Sequence, residues 1–280
     1  MPLRLGHLGA LEAGFRGLMI DLYMYDGDFN STTPKTLHAC HGLCSFGSRD
    51  ARDEFKVTAD WLSDHPGEVV QLFLENPDGR EMDDALYGVL RELGMTSMLV
   101  EKKADGSWPT MRECILENRR IVIFKMAGCD PEGVGMDDDG NVKNQMDSGR
   151  GCLKGFHNAF DNSYDTNFEL ADVDSVYTGE YTGKGEPVWD TGWINRGDNY
   201  EGKAAGNMLV MNHFLMKPIA ALALDMNEEQ FIKDRVEAME DGLCDKVNWI
   251  ACDFWSVGGH GAVKAAQWNN KRAGGGGSGC

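Results

Sequence analysis

GFRGLMIDLYMYDGDF (residues 14–29), TLHACHGLCSFG (36–47) and WLSDHPGEVVQLFLEN (61–76) are the three pieces of sequence that decide the fold. Each holds a short apolar run of the kind that makes a buried strand. The runs end on, or just before, polar side chains able to do chemistry: Asp21, His41 and Glu75. The first two strands are expected over 18–23 and 36–41, joined by the turn-forming set YDGDFNSTTP, and the third over 69–74. Between the second and third, residues 48–65 place Phe55, Val57, Trp61 and Leu62 on one helical face, with Ser48 as the expected N-cap.

The same reading extends in both directions. Residues 3–13 predict a short helix, stopped by Gly14. Beyond the opening pieces, helices are expected over 83–93 and 111–117 and a strand over 121–124, ending near Lys125. From 127 to 206 the chain turns rich in Gly, Asp and Asn, which predicts long loops with at most one hidden strand. Within it MDDDGNVKNQMDSGRG has acidic residues, but Asp137, Asp138 and Asp139 are adjacent rather than spaced as a calcium loop requires, so a solvated loop is expected. Regularity returns with a strand at 208–211, a helix at 227–241, a strand at 249–254 and a helix at 260–268. Strands of the buried type alternating with helices imply an α/β fold with a largely parallel sheet.

Composition bounds the function. The chain has 280 residues, 42% hydrophobic, enough for one sizeable core. A formal net charge of -18 repels phosphate backbones, so nucleic acid is not expected as a partner. No apolar run is long enough to span a bilayer, and the N-terminus lacks the apolar core of a signal peptide. Of the 8 cysteines, Cys40 and Cys44 bracket His41; a disulfide is the preferred reading and buried thiols the alternative. Cys114, Cys129, Cys152, Cys244 and Cys252 leave room for one or two further bridges. The end, AGGGGSGC, is expected to be a flexible tail over 273–280, outside a single folded domain spanning 1–272.

Groups at the C-terminal ends of parallel strands are where α/β barrels place their chemistry. Asp21, His41, Glu75, Lys125, Asn212, His213 and Asp253 all fall at or near such ends. Asp21 and Glu75 are oxygen donors suited to a hard divalent cation, although calcium takes about six to eight oxygens and substrate and water would have to complete the shell. An imidazole such as His41 suits proton donation to a leaving alkoxide, and a carboxylate beside it would hold the imidazolium form. His213 is expected to be structural before it is catalytic, and no role is expected for His7.

At these residues the chain resembles the X-domain family of phosphatidylinositol-specific phospholipases C. GFRGLMID is similar to the family's G-x-R-x-L-x-[IL]-D strand, LHACHGLC to its l-x-H-G strand, and WLSDHPGEVVQLFLEN to its helix–turn–strand unit. NWIACDFW (248–255) resembles its last strand. The resemblance implies a TIM-type (β/α) barrel and cleavage of a phospholipid headgroup phosphodiester by attack of a neighbouring inositol hydroxyl. It implies His41 as general acid, Asp21 and Glu75 as metal ligands (calcium before magnesium, or no metal), and Lys125 on the substrate phosphate. Arg16 matches a family arginine read as structural, a substrate-side position at most. Asp253 matches, weakly, a late-strand acid, and His213 is a weak candidate to stand in for a missing group. Transient contact with a membrane surface and a secreted or luminal location follow from the same resemblance.

Two departures qualify it. Met19 stands where calcium-dependent members often carry another acid. The first catalytic histidine, of the motif H-[ND]-[ST], has no counterpart; it belongs on a strand before the 3–13 helix. Three expectations follow: a barrel lacking its first strand because the sequence is incomplete, a natural inactive relative, or substitution by His213 or a residue of 127–206. A catalytically dead scaffold for lipid headgroups or proteins is the non-enzymatic alternative. A magnesium-dependent hydrolase of the glycerophosphodiesterase or sphingomyelinase D type is the enzymatic one; Met19 beside Asp21 argues against it.

Overall fold

The computed structural model describes residues 6–26, 34–41, 43–75, 80–126, 135–136, 142–143, 155–194, 207–217 and 219–273. The chain divides into two compact units, Met1–Ala159 and Phe160–Cys280.

In the first unit, helix α1 (His7–Ala13) ends at Gly14, whose left-handed backbone (φ 106°) lets the chain turn sharply. Strand β1 (Gly17–Tyr25) follows, then β2 (Thr36–Ala39), β3 (Arg49–Asp50) and helix α2 (Ala51–Asp64). The cap of α2 is Asp50, not the expected Ser48: its carboxylate accepts from Arg52 N at 2.8 Å. Strand β4 (Val70–Glu75) leads to helix α3 (Arg80–Glu92). Helix α4 (Met111–Leu116) opens on a full capping box between Thr110 and Glu113 and delivers strand β5 (Ile121–Lys125). The short antiparallel pair β6 (Gly135–Met136) and β7 (Val142–Lys143) precedes β8 (Phe156–Asn158).

These strands form a six-stranded sheet in the order β3-β2-β1-β4-β5-β8. The pairs β1–β4, β4–β5 and β5–β8 are parallel, as the buried strand type predicts. β2 is antiparallel to both β1 and β3, which corrects the parallel reading of the 36–41 run. Leu18, Ile20, Leu22, Val70, Leu72, Leu74, Ile121 and Ile123 alternate onto one face, and all are buried. Each such side chain contributes about 1.5–3 kcal/mol by leaving water. Arg16 locks the start of β1. It donates to the Leu11 and Phe15 carbonyls, pairs with Glu68 at 2.7 Å, and lies 4.5 Å above the Trp61 ring.

In the second unit, α5 (Ala159–Asn162, which starts on the last residue of the first unit) leads to β9 (Ser163–Thr166), β10 (Tyr177–Tyr181), β11 (Pro187–Trp189) and β12 (Trp193–Ile194). The expectation of at most one strand in 127–206 is therefore corrected. Then come β13 (Met208–Asn212), α6 (Ala223–Met226), α7 (Glu229–Leu243), β14 (Val247–Ala251) and α8 (Gly261–Ala273). A four-stranded sheet runs β12-β9-β13-β14, with β13 parallel to both β9 and β14, and β10 pairs with β11. The fold is α/β, its two larger sheets mixed with parallel pairs at their centre; no closed barrel is present among the described residues. No helix among them is long and apolar enough to cross a membrane. Cys129, Cys152 and all but Ala273 of the 273–280 tail lie outside the described residues.

Candidate active site

Backbone register brings the sequence-predicted residues of the first unit together. In the β1–β4 ladder Asp21 stands opposite Glu75. Partners in a parallel ladder share a face, so the two carboxylates project side by side at the C-terminal end of that ladder. The β1–β2 hairpin carries the chain back, and Cys40 N donates to Asp21 O at 3.2 Å. That bond sets His41 beside Asp21: His41 Nδ1 lies 2.8 Å from Asp21 Oδ2. The Asp21 side chain is only 12% exposed, whereas that of His41 is 92% exposed. The imidazole is thus held at Nδ1 by a sheltered carboxylate, with Nε2 left facing solvent.

Cys40 and Cys44 are joined in a disulfide, so the loop that carries His41 is closed on itself. The same loop turns Leu43 and Phe46 outwards; Phe46 is 88% exposed. Cys244 is also disulfide-bonded, and Cys114 and Cys252 are free thiols. Burial pushes the Cys252 thiol up to about 12, which leaves it unreactive at neutral pH.

Lys125 does not join this group. It is the ladder partner of Leu74, so it projects from the opposite face to Glu75. There it is 2% exposed and pairs with Asp83 of α3 at 2.6 Å. Arg16 sits just before β1, five residues, or roughly 17 Å, before Asp21. Its partners are backbone carbonyls, Glu68 and Trp61, as a structural arginine requires.

His213 and Asp253 belong to the second unit. His213 is fully buried; Nε2 donates to Met226 O at 2.6 Å, and Nδ1 accepts from Arg235 Nη1 at 2.8 Å. Burial, with the Arg235 guanidinium adding to it, pushes the imidazole down to about 3. It is a neutral core histidine with both nitrogens engaged. The Asp253 carbonyl accepts from Asn227 Nδ2 at 2.9 Å. His213 and Asp253 line a cavity of about 10 Å³, room for about one water and no ligand.

A cleft of about 490 Å³ opens over Asp21 and His41 in the first unit. Met19, Cys40, Arg49 and Glu54 line it, and so does His7, which sequence reasoning had set aside. His7 Nδ1 lies 2.8 Å from Glu54 Oε2, out of line for a well-formed hydrogen bond but within ion-pair reach. Arg49 Nη1 holds the other oxygen, Oε1, at 2.6 Å. Burial raises the Glu54 carboxyl, but His7 and Arg49 together outweigh it and leave it below the usual carboxylate range. Among the described residues no group of three or more His, Cys, Asp or Glu is placed to hold a metal ion. Asp21 and Glu75 offer carboxylate oxygens of the right kind, but Asp21 also serves His41 and two carboxylates do not complete a calcium shell.

An aspartate-held imidazole stands at the C-terminal edge of the parallel strands, where α/β sheets bind their ligands. Comparison with known proteins points to a family. Residues 22–136 match the family model of PI-PLC X (PI-PLC X 1). The chain is 36% identical over 89 residues to PI-PLC X domain-containing protein 1 of Arthroderma benhamiae, an alignment covering 30% of this chain and 29% of that protein. It is 29% identical over 132 residues to a PI-PLC X domain-containing protein of Arabidopsis thaliana, covering 44% of this chain and 29% of that one. An uncharacterized secreted protein of Arthroderma benhamiae is 27% identical over 119 residues, 41% of this chain and 25% of its own. The chain thus spans less than a third of each of these relatives. No solved structure matches. The family-model match and the two relatives named as PI-PLC X domain-containing proteins support the PI-PLC X domain family. The match begins at Leu22, so it includes His41 and Glu75 but neither Asp21 nor His7.

Proposed function

We propose that this protein is a phosphodiesterase of the phosphatidylinositol-specific phospholipase C type, cleaving the headgroup phosphodiester of an inositol phospholipid or a related glycerophospholipid. The observation that carries the reading is the His41–Asp21 pair at 2.8 Å, with His41 inside the stretch that matches the family. The neighbouring inositol hydroxyl attacks phosphorus, forming an O–P bond, and the bond from phosphorus to the glycerol oxygen breaks. His41 gives its Nε2 proton to that departing oxygen, while Asp21 holds Nδ1 and fixes the ring. Arrangements of this kind are worth about 10²–10⁴ in rate per acid or base.

A divalent cation, calcium before magnesium, belongs to the proposal as far as Asp21 and Glu75 carry it. Those two would hold it, and it would offset the phosphate charge. The TIM-type barrel implied by the family is likewise proposed; the β–α alternation of the first unit supports it. Leu43 and Phe46, exposed on the loop that bears His41, support transient contact with a lipid surface. The relative named as secreted, together with the Cys40–Cys44 disulfide, supports an extracellular or luminal location.

The test is turnover of phosphatidylinositol vesicles by the wild type and by His41→Ala, with and without chelator. The wild type is expected to release the inositol phosphate, and the variant to lose about 10²–10⁴ of that rate. Equal binding of vesicles by both proteins with turnover by neither would replace this reading with a non-catalytic scaffold.

A further inference from the structure

We propose that His7 is the second proton-handling residue of this site and takes the proton of the attacking hydroxyl. The inference rests on the phosphodiesterase reading above and deepens it.

Two histidine–carboxylate pairs line one cleft: His41 with Asp21, and His7 with Glu54. Displacement at phosphorus needs a proton removed on the entering side and one supplied on the leaving side. Two separately supported imidazoles are the simplest side-chain set that does both. The Glu54 carboxylate is 6% exposed and fixed from both ends, by Arg49 on Oε1 and by His7 on Oε2. Such a carboxylate orients the imidazole and stabilises its charged form once a proton has been taken. His7 Nδ1 is buried against Glu54, and Nε2 is the ring nitrogen on the far side from that contact. The His7 side chain keeps 21% of its surface open, at the cleft wall.

The competing account makes His7 a staple between α1 and α2. Gly6, the residue before it, already packs there: a Cβ at Gly6 would stand 3.3 Å from Arg49 Nη1. A staple accounts for the Glu54 contact but not for the part of the ring that stays open at the wall of the cleft that His41 lines.

The step balances without a further reagent. The hydroxyl proton passes to His7 Nε2 as the new O–P bond forms. The P–O bond to the leaving group breaks, and its electron pair takes the proton from His41 Nε2. The products are a cyclic phosphodiester and the free alcohol, and proton exchange with water resets both rings.

The experiment compares His7→Ala, His7→Gln and His41→Ala on two substrates. One is phosphatidylinositol in vesicles; the other is the p-nitrophenyl diester of inositol 1-phosphate, whose leaving group departs without a proton. His7→Ala is expected to lose about 10²–10⁴ of the rate on both substrates, and added imidazole is expected to restore at least tenfold. His41→Ala is expected to lose that much on the lipid and far less on the nitrophenyl ester. His7→Gln retains a polar group against Glu54; loss of rate in it with an unchanged melting temperature separates chemistry from folding. Wild-type rates in both His7 variants, or losses that imidazole leaves untouched, overturn the inference while the phosphodiesterase reading stands. A wild type inactive on both substrates removes the two together.

Discussion

Acid should destabilise the fold through one buried residue of the second unit, His213. Its imidazole is fully buried, donates to the Met226 carbonyl and faces the Arg235 guanidinium at 2.8 Å. A proton on Nδ1 would remove the acceptor that Arg235 uses and set two cations together in the core. The folded value is about 3, against an ordinary value of 6.5 once the chain unfolds. A base whose folded pKa is depressed contributes stability above the unfolded value and loses it as pH falls from there toward the folded value. By this linkage the unfolded state gains about 0.2 kcal/mol at pH 7 and about 2 kcal/mol at pH 5 from protonating this one ring. The measurement is urea unfolding at both pH values, for the wild type and for His213→Gln. The variant will be less stable at pH 7, by about 1–3 kcal/mol, because Arg235 loses a good acceptor. Its further loss between pH 7 and pH 5 should be about 2 kcal/mol smaller than that of the wild type, since every carboxylate effect is common to both proteins. Equal losses in the two proteins, or an NMR titration of His213 in the folded protein near 6.5, would refute the argument.

Three other outcomes are expected. Replacing Cys40 and Cys44 by Ser together releases the loop that carries His41 and should cost about 2 kcal/mol of stability in a chain-entropy account. It should also lower turnover at saturating substrate; unchanged kinetics would mean that Asp21 alone positions the ring. Phe46→Asp puts a charge on the most exposed apolar side chain of that loop. It should reduce hydrolysis of vesicles while leaving a soluble diester unaffected, and equal effects on both would remove the lipid-contact role. Lys125→Ala leaves the Asp83 carboxylate without its buried cation and should destabilise the substrate-free protein by about 3 kcal/mol in denaturant unfolding; a lysine serving only a substrate phosphate would leave that stability unchanged.

Much of the first unit was legible in sequence because its strands and helices announce different periods. Leu18, Ile20 and Leu22 alternate on β1, and Phe55, Trp61 and Leu62 return at helical spacing on α2. Strand direction was not legible: an apolar run such as Thr36–Ala39 reads the same whether it lies parallel or antiparallel to its neighbour. The direction decides how His41 meets Asp21, through a hairpin rather than through a crossover. The face of Lys125 was available from counting alone, since it lies two and four residues after the buried Ile123 and Ile121. Between 127 and 206 composition misled. Ser163–Thr166 is a buried parallel strand made largely of polar residues, stable because their groups are hydrogen-bonded rather than because they are apolar; Thr166, for one, accepts at Oγ1 from Asn212 N. His7 carried no signal in its own neighbourhood, because its partner Glu54 comes from another helix whose docking the sequence does not state.

The division of labour at His41 bears on the proposed reaction, in which a nearly fully exposed residue acts as a positioned acid. An exposed histidine on a free loop samples many rotamers, and ordering it at the moment of reaction would cost free energy that the chemistry has to supply. Here the ordering is done beforehand by two features that are not on the reacting side of the ring. The disulfide shortens the loop, and Asp21, on the strand at the heart of the sheet, holds Nδ1. Precision therefore comes from β1, and access comes from the loop. The stretch that matches the family starts one residue after Asp21. The imidazole thus comes from the matched stretch, while the carboxylate that orients it comes from the residue just before that match.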